Sequence, residues 1–152
     1  MPTTKCGFND SGEILGCDLL VSQGPTLYVN IGFDPLYKPD PPGKIPTTGM
    51  TDLQALVDTG ATTSCIDSGL AMQLNLPIFD RQKISGVGGI HEVNMHLAQI
   101  HVPSLNFTIY GSFAAVDLIA GGQPHHALIG RSFLRAFVMV YEGTTGTVTL
   151  TY

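Results

Sequence analysis

Ala55-Leu56-Val57-Asp58-Thr59-Gly60-Ala61-Thr62 is the stretch on which the reading of this chain turns. A strand pattern from Leu53 to Val57 runs straight into a carboxylate, and the carboxylate runs into a turn of small residues. Asp58 is therefore expected at the tip of a strand, on a tight turn, with backbone N–H groups close enough to hold it. Two readings compete there. Asp and Gly are common turn residues, and an Asx turn needs no chemistry. By average residue usage an Asp-Thr-Gly triplet turns up by chance in roughly a few chains in a hundred of this length. On the triplet alone, the turn reading is ahead.

Downstream, an echo shifts the balance. Ala127-Leu128-Ile129-Gly130 repeats the pattern of a short buried strand ending in a turn, and Arg131-Ser132-Phe133-Leu134-Arg135-Ala136-Phe137 follows at helical spacing. After the first copy, Asp67-Ser68-Gly69-Leu70-Ala71-Met72-Gln73-Leu74 reads as one or two helical turns with an Asp or Ser cap. Between the two copies, Ile84-Ser85-Gly86-Val87-Gly88-Gly89-Ile90 is dense in glycine. Strand-forming residues flank it (82–84 and 90–102), which predicts a hairpin with an exposed tip.

Further strands are expected at Thr26–Phe33 and within 105–119. Val138–Tyr141 and Thr147–Thr151 should close a hairpin around Gly143-Thr144-Thr145-Gly146. Residues 34–49 hold five prolines and little apolar periodicity, so they read as a surface loop inserted in the domain. The expectation is an all-β, pseudo-symmetric domain over 25–152 with one or two short helices. Residues 1–24 are set apart as an N-terminal extension.

Composition narrows the function. The 152 residues suit a single domain, and 43% hydrophobic against 12% charged residues excludes disorder. A net charge of -5 with seven scattered basic residues argues against nucleic acid as a partner. Apolar runs fall well short of a membrane span, and the polar start Met1–Cys6 shows no secretory h-region. Cys6, Cys17 and Cys65 are odd in number and irregular in spacing, which predicts free thiols in a reducing compartment, by default the cytoplasm.

Three pieces, in order and at matching spacing, resemble the retropepsin-like aspartic proteases, homodimeric enzymes with one Asp-Thr-Gly per chain. They are Leu56-Val57-Asp58-Thr59-Gly60-Ala61, the hairpin around Gly86-Val87-Gly88-Gly89, and Leu128-Ile129-Gly130-Arg131-Ser132-Phe133-Leu134. The resemblance implies a closed β-barrel-like fold and an aspartic endopeptidase. Asp58 would be the catalytic carboxylate, supported by Thr59, Gly60, Ala61 and Arg131. Thr59 would bond across the dimer axis, Gly60 would offer its carbonyl to substrate, and Arg131 would brace the loop. Gly86, Val87, Gly88, Gly89 and Ile90 would form a flap over an extended peptide bound in the manner of an added strand. Val148–Tyr152 would supply a terminal strand to the dimer interface.

The implied chemistry needs two carboxylates around one water. Like charges so close cannot both stay ionised, so one keeps a proton. The ionised member deprotonates the water that attacks the peptide carbonyl, and the protonated member donates to the carbonyl oxygen. No metal, cofactor or covalent intermediate is required. One chain holds one such motif, so a homodimer must bring in the second Asp58.

Some residues depart from that pattern. Viral members usually carry an Asp after the Asp-Thr-Gly-Ala run, often paired with the arginine. Thr62 stands there, so Arg131 is expected to find another partner or face solvent. Ser132 replaces a common Asp or Asn, and the insertion at 34–49 points to a cellular or bacterial member. These departures keep an alternative in play, a non-catalytic module of the same fold that dimerises and grips peptides.

Other signals carry less. His91-Glu92-Val93-Asn94-Met95-His96 spaces its histidines five apart, where a zinc helix needs four and a strand puts an odd separation on opposite faces. His125-His126 reads as an exposed loop, and Cys65 as a small buried residue. Gly86-Val87-Gly88-Gly89 lacks the Gly-Lys-Ser/Thr ending of a phosphate loop.

Overall fold

A computed structural model describes residues 1–40 and 44–152. Pro41, Pro42 and Gly43, part of the proline-rich loop, lie outside the described residues. Among the described residues, ten strands and three short α-helices follow one another. The all-β expectation holds.

β2 (Thr26–Gly32) alternates buried and exposed residues, with Leu27, Val29 and Ile31 inside and Tyr28 outside. It pairs antiparallel with β3 (Met50–Val57), which starts three residues earlier than its sequence pattern indicates. From β3 the sheet continues through β8 (Ala127–Ile129), β4 (Cys65–Asp67), β7 (Phe107–Val116) and β6 (Gly89–Val102) to β5 (Ile78–Gly86). Asn30, Ile31 and Gly32 of β2 also pair with His101, Ile100 and Gln99 of β6, which closes the sheet into a barrel. Its interior is filled by Val29, Ile31, Ala55, Ile100, Ala127 and Ile129, none of them measurably exposed. Burial on that scale is the main favourable term in folding.

β6 belongs to two structures at once. Its residues from Met95 onward lie against β7, while the residues before Met95 pair only with β5. The expected hairpin is therefore a two-stranded arm projecting from the barrel, turning at Val87-Gly88 between the paired Gly86 and Gly89. An isolated two-stranded hairpin is marginal in water.

Between β4 and β5, α2 (Ser68–Gln73) is capped as its sequence predicts: Asp67 accepts the Leu70 N–H at 3.1 Å. The proline-rich segment is a loop in its described parts, pinned by Asp34. That carboxylate accepts the N–H groups of Leu36 and Thr47, each at 2.9 Å, and the bonds hold it below the usual carboxylate range, Thr47's most.

A second, three-stranded sheet has the order β1 (Thr3–Lys5), β10 (Thr147–Thr151), β9 (Val138–Glu142). Residues 1–24 thus contribute β1 and α1 (Gly16–Gln23), and they bury Cys6 and Leu20 in the main core. The segment is drawn in by close backbone approach. Gly146 sits at φ +80°, and a Cβ there would come within 2.3 Å of the Gly16 carbonyl carbon. β10, the strand expected at a subunit interface, has both of its edges paired within its own chain, to β1 and to β9.

Candidate active site

The two sequence echoes lie side by side. β3 and β8 pair in parallel, Ala55 with Ala127, Leu56 with Leu128 and Val57 with Ile129. Both strands then turn out of the sheet at the same level. The Asp58 N–H donates to the Ile129 carbonyl at 2.9 Å, the last bond of that ladder.

Asp58 is half-buried, and its Oδ1 accepts the Gly60 N–H at 2.8 Å. The Ala61 N–H donates to the Asp58 carbonyl at 3.2 Å. The turn reading and the catalytic reading therefore describe one arrangement. The backbone bond fixes one carboxylate oxygen, and no other described residue donates to the group.

The loop 58–62 is tied down from the second echo. Arg131 donates from one guanidinium nitrogen to the Thr59 carbonyl at 2.7 Å and from the other to the Thr62 hydroxyl at 3.1 Å. Its backbone N–H donates to the Ala61 carbonyl at 2.9 Å, and the Ser132 N–H to the Thr62 carbonyl at 3.0 Å. Arg131 finds the other partner that the sequence called for in the Thr59 carbonyl, and it keeps Thr62 too, whose hydroxyl accepts a weaker, uncharged bond. Gly130, buried before α3 (Arg131–Leu134), permits this approach, because a Cβ there would lie 2.6 Å from the Thr63 carbonyl carbon and oxygen. Its N–H is taken by the Ser64 hydroxyl at 3.1 Å. Ser64 carried no sequence signal beyond being small and close to the triplet.

Cys65 lies near enough to feel the Asp58 charge. Its thiol is pushed up to about 11, chiefly by burial and secondarily by Asp58, against a backbone bond from Leu128. A thiol so placed stays protonated and is a poor nucleophile. It packs with Met95, Ala114, Val93, Val116 and Leu128 in a small apolar cluster beside the main core.

Asp67 and Asp117 are each engaged by other groups. Asp67 is buried, and its carboxylate accepts the N–H groups of Leu70, Leu118 and Ile119 at 3.0–3.1 Å. Asp117 accepts the Ser68 hydroxyl.

At the arm's tip Gly86, Val87, Gly88, Gly89 and Ile90 are all exposed, Val87 fully so, and no hydrogen bond among the described residues joins them to the Asp58 loop. A cavity of about 750 Å³ lies between this arm, α2 and β7. Ile84, Val93, Val116 and Asp117 line it, whereas Asp58 and Arg131 do not. Its link to Asp58 runs through Val93 and Val116, which pack with Cys65.

The histidines separate. His91 is exposed on the arm, while His96 is buried with Nδ1 2.9 Å from the Leu76 carbonyl oxygen. His125 departs from its expected exposed loop and is 1% exposed. The cause lies in its neighbour: the His126 N–H donates to the Gln54 carbonyl, and its carbonyl accepts the Asp67 N–H, both at 2.8 Å. Those bonds draw the segment between β3 and β4. The Thr26 hydroxyl donates to the Gly24 carbonyl at 3.0 Å, so the contact of 3.2 Å to His125 Nε2 must be donated by the ring. Nδ1 is then a bare buried lone pair with no partner among the described residues. Burial lowers the His125 pKa accordingly.

The family described as "gag-polyprotein putative aspartyl protease" matches residues 47–136, more than half of the chain. That span runs from before β3 through Asp58 and the arm to the end of the Arg131 segment. Among solved structures, the EIAV protease complexed with the inhibitor HBY-793 is similar, with 22% identity and a TM-score of 0.45 over 74% of this chain and 86% of that one. The Simian Foamy Virus (mac) protease is similar at 15% identity and a TM-score of 0.44, over 72% of this chain and 91% of that one. No curated protein sequence matches.

Proposed function

Because the chain belongs to the family described as "gag-polyprotein putative aspartyl protease", we propose that it is an aspartic endopeptidase that works as a homodimer, with Asp58 of each copy around one water. The observation that carries this reading is the Asp58 carboxylate itself. It stands at the end of a buried parallel strand pair, with one oxygen held by the Gly60 N–H and its loop clamped by Arg131. A fixed, partly exposed carboxylate is what a general acid–base pair requires, since placement sets the rate before acidity does.

In this mechanism one Asp58 is ionised and takes a proton from the water as it attacks the peptide carbonyl. The other carries a proton and gives it to the carbonyl oxygen, and a further transfer releases the amine. Thr59, Gly60 and Ala61 act through the loop, with Arg131 as its positioning residue. Residues 86–90 close over an extended peptide as a flap, for which the two-stranded arm is suitably pliable. The domain would take in residues 1–24, whose Cys6 and Leu20 share its core, beside the expected 25–152, with 34–49 as its insertion. Three free cysteines suit a reducing cytoplasm. Among the described residues no helix is long and apolar enough to cross a membrane.

Cleavage of a diverse peptide library from acid to neutral pH, with Asp58→Asn beside the parent, tests the reading. Cuts that fall by at least about 1,000-fold in the variant are the expected result. A dimeric parent that cuts nothing would favour a non-catalytic peptide-gripping module, and cuts that survive Asp58→Asn would remove the aspartic mechanism.

A further inference from the structure

β6 and β7 pair without a break from Val102 opposite Phe107 to Met95 opposite Ala114, and there the ladder stops. Carried on in the same register, it would set Asn94 against Ala115, Val93 against Val116 and Glu92 against Asp117. All six residues line the cavity between the arm, α2 and β7. The cavity is therefore the fork left where the two strands part, and the last pair gives a physical reason for the parting. Glu92 and Asp117 would face each other across neighbouring strands, and like charges so placed destabilise a sheet.

The fork offers acceptors and no cation. Neither lysine nor arginine is among its lining residues. Asp117 holds the Ser68 hydroxyl on one carboxylate oxygen, and the other has no partner among the described residues. Glu92 meets only Arg81, at 3.5 Å and with both side chains more than half exposed, a contact of little strength. His96 is an independent sign of a ligand, since it lines the cavity and is only 5% exposed. The Leu76 carbonyl, 2.9 Å from Nδ1, can only accept, so Nδ1 carries the ring hydrogen. Nε2 of the neutral ring is then a lone pair with no partner among the described residues, open to a donor from the cavity. Met72, Ile84, Val93 and Val116 give the same space apolar walls.

We propose that the fork binds the side chain of an arginine in the bound peptide, with its guanidinium between Glu92 and Asp117 and its stem along Ile84, Val93 and Val116. One cation there relieves the repulsion that parts the strands, and a planar group with five donors serves acceptors that spread apart. The stem covers apolar surface while the charged head is paired. A metal ion fits less well, because no three His, Cys, Asp or Glu side chains among the described residues group closely enough to hold one. The peptide is the source because the fork adjoins the candidate site. Val93 and Val116 pack with Cys65, which pairs with Leu128, one residue before the Ile129 that accepts the Asp58 N–H. Counted in strand spacings and rise, Asp117 is about 20 Å from Asp58, or about six residues of extended peptide. That source rests on the peptidase reading above, whereas the site itself does not.

Titration of the whole chain with Nα-acetylarginine amide, followed residue by residue by NMR, tests the site, with the citrulline analogue as the uncharged control. The arginine compound is expected to bind at least about 10-fold tighter than the citrulline one and to shift the signals of Glu92, Asn94 and Asp117. Asp117→Asn and Glu92→Gln keep the side-chain shape and are each expected to weaken it at least about 5-fold. Asp80→Asn, on the arm but outside the cavity, is expected to change nothing, and the same spectra show that each variant folds. Equal binding of the two compounds, or binding that survives both cavity variants, would overturn the site. Peptides then test the source. An arginine scanned through positions about four to eight residues from the cut is expected to raise kcat/KM about 10-fold over citrulline at one of them. Asp117→Asn is expected to abolish that advantage. An arginine compound that binds, with no advantage to any peptide that is cut, would assign the fork to a free guanidinium ligand and overturn the peptide source. A parent that binds the arginine compound and cuts no peptide leaves the site standing and removes the catalytic reading, and the peptide source with it.

Discussion

Arg131 reaches across the Asp58 loop to the carbonyl oxygen of Thr59, 2.7 Å away, and so links the loop after β3 to the helix after β8. The same guanidinium holds the Thr62 hydroxyl. A planar fork with two donors fixes a loop in a way that a lysine point charge does not. Arg131→Lys is therefore expected to cost cleavage about 10-fold with little change in substrate affinity, and Arg131→Ala to cost about 1 kcal/mol of stability as well. Thr62→Asp turns the neutral contact into a charged one and is expected to add up to about 1 kcal/mol. Urea unfolding and steady-state kinetics on the three variants check this set.

Gly130 gives a sharper expectation. Its missing side chain is what lets β8 and the loop 61–63 touch, and an added methyl would meet backbone atoms, which cannot swing aside. Gly130→Ala is expected to lose about 2–3 kcal/mol, read from the urea midpoint, and to lose cleavage as the loop shifts.

Acid should loosen the fold through two histidines. Burial lowers the pKa of His125 and of His101 from the ordinary 6.5. Below 6.5 the unfolded chain takes up protons that the folded chain refuses, so the stability they contribute is full above that pH. It is lost as the pH falls through the folded values. Urea midpoints from pH 7.5 to 5 are expected to decline, less steeply in His125→Gln, and least when His101→Gln is added. An unchanged slope in the double variant would place the effect elsewhere.

Residues 1–24 are expected to matter for stability more than an extension would. A chain beginning at Pro25 loses Cys6 and Leu20 from the core and leaves β10 without β1. Thermal unfolding is expected to show a loss of at least about 3 kcal/mol.

Much of this architecture is legible in the sequence, because period-2 alternation and turn residues are local signals. The two echoes, the arm and the cap of α2 all fall in that class. What escapes is whatever depends on a distant partner. Thr3-Thr4-Lys5 is too short to show alternation, and it becomes a strand only because Thr149–Thr151 lie beside it. Pro124-His125-His126 has the composition of an exposed loop, and only Gln54 and Asp67 draw it inward. At the candidate site the sequence marks Asp58, Gly60 and Arg131 as the residues to watch. It does not reveal that Thr62 and Ser64 complete the bonding of the loop, since a lone hydroxyl carries no pattern.

The Thr3 and Thr151 hydroxyls meet at 3.0 Å across 148 residues of sequence. Closing so long a loop is entropically slow, so the pairing of β1 with β10 is expected to follow the closure of the barrel, whose strands meet over shorter separations.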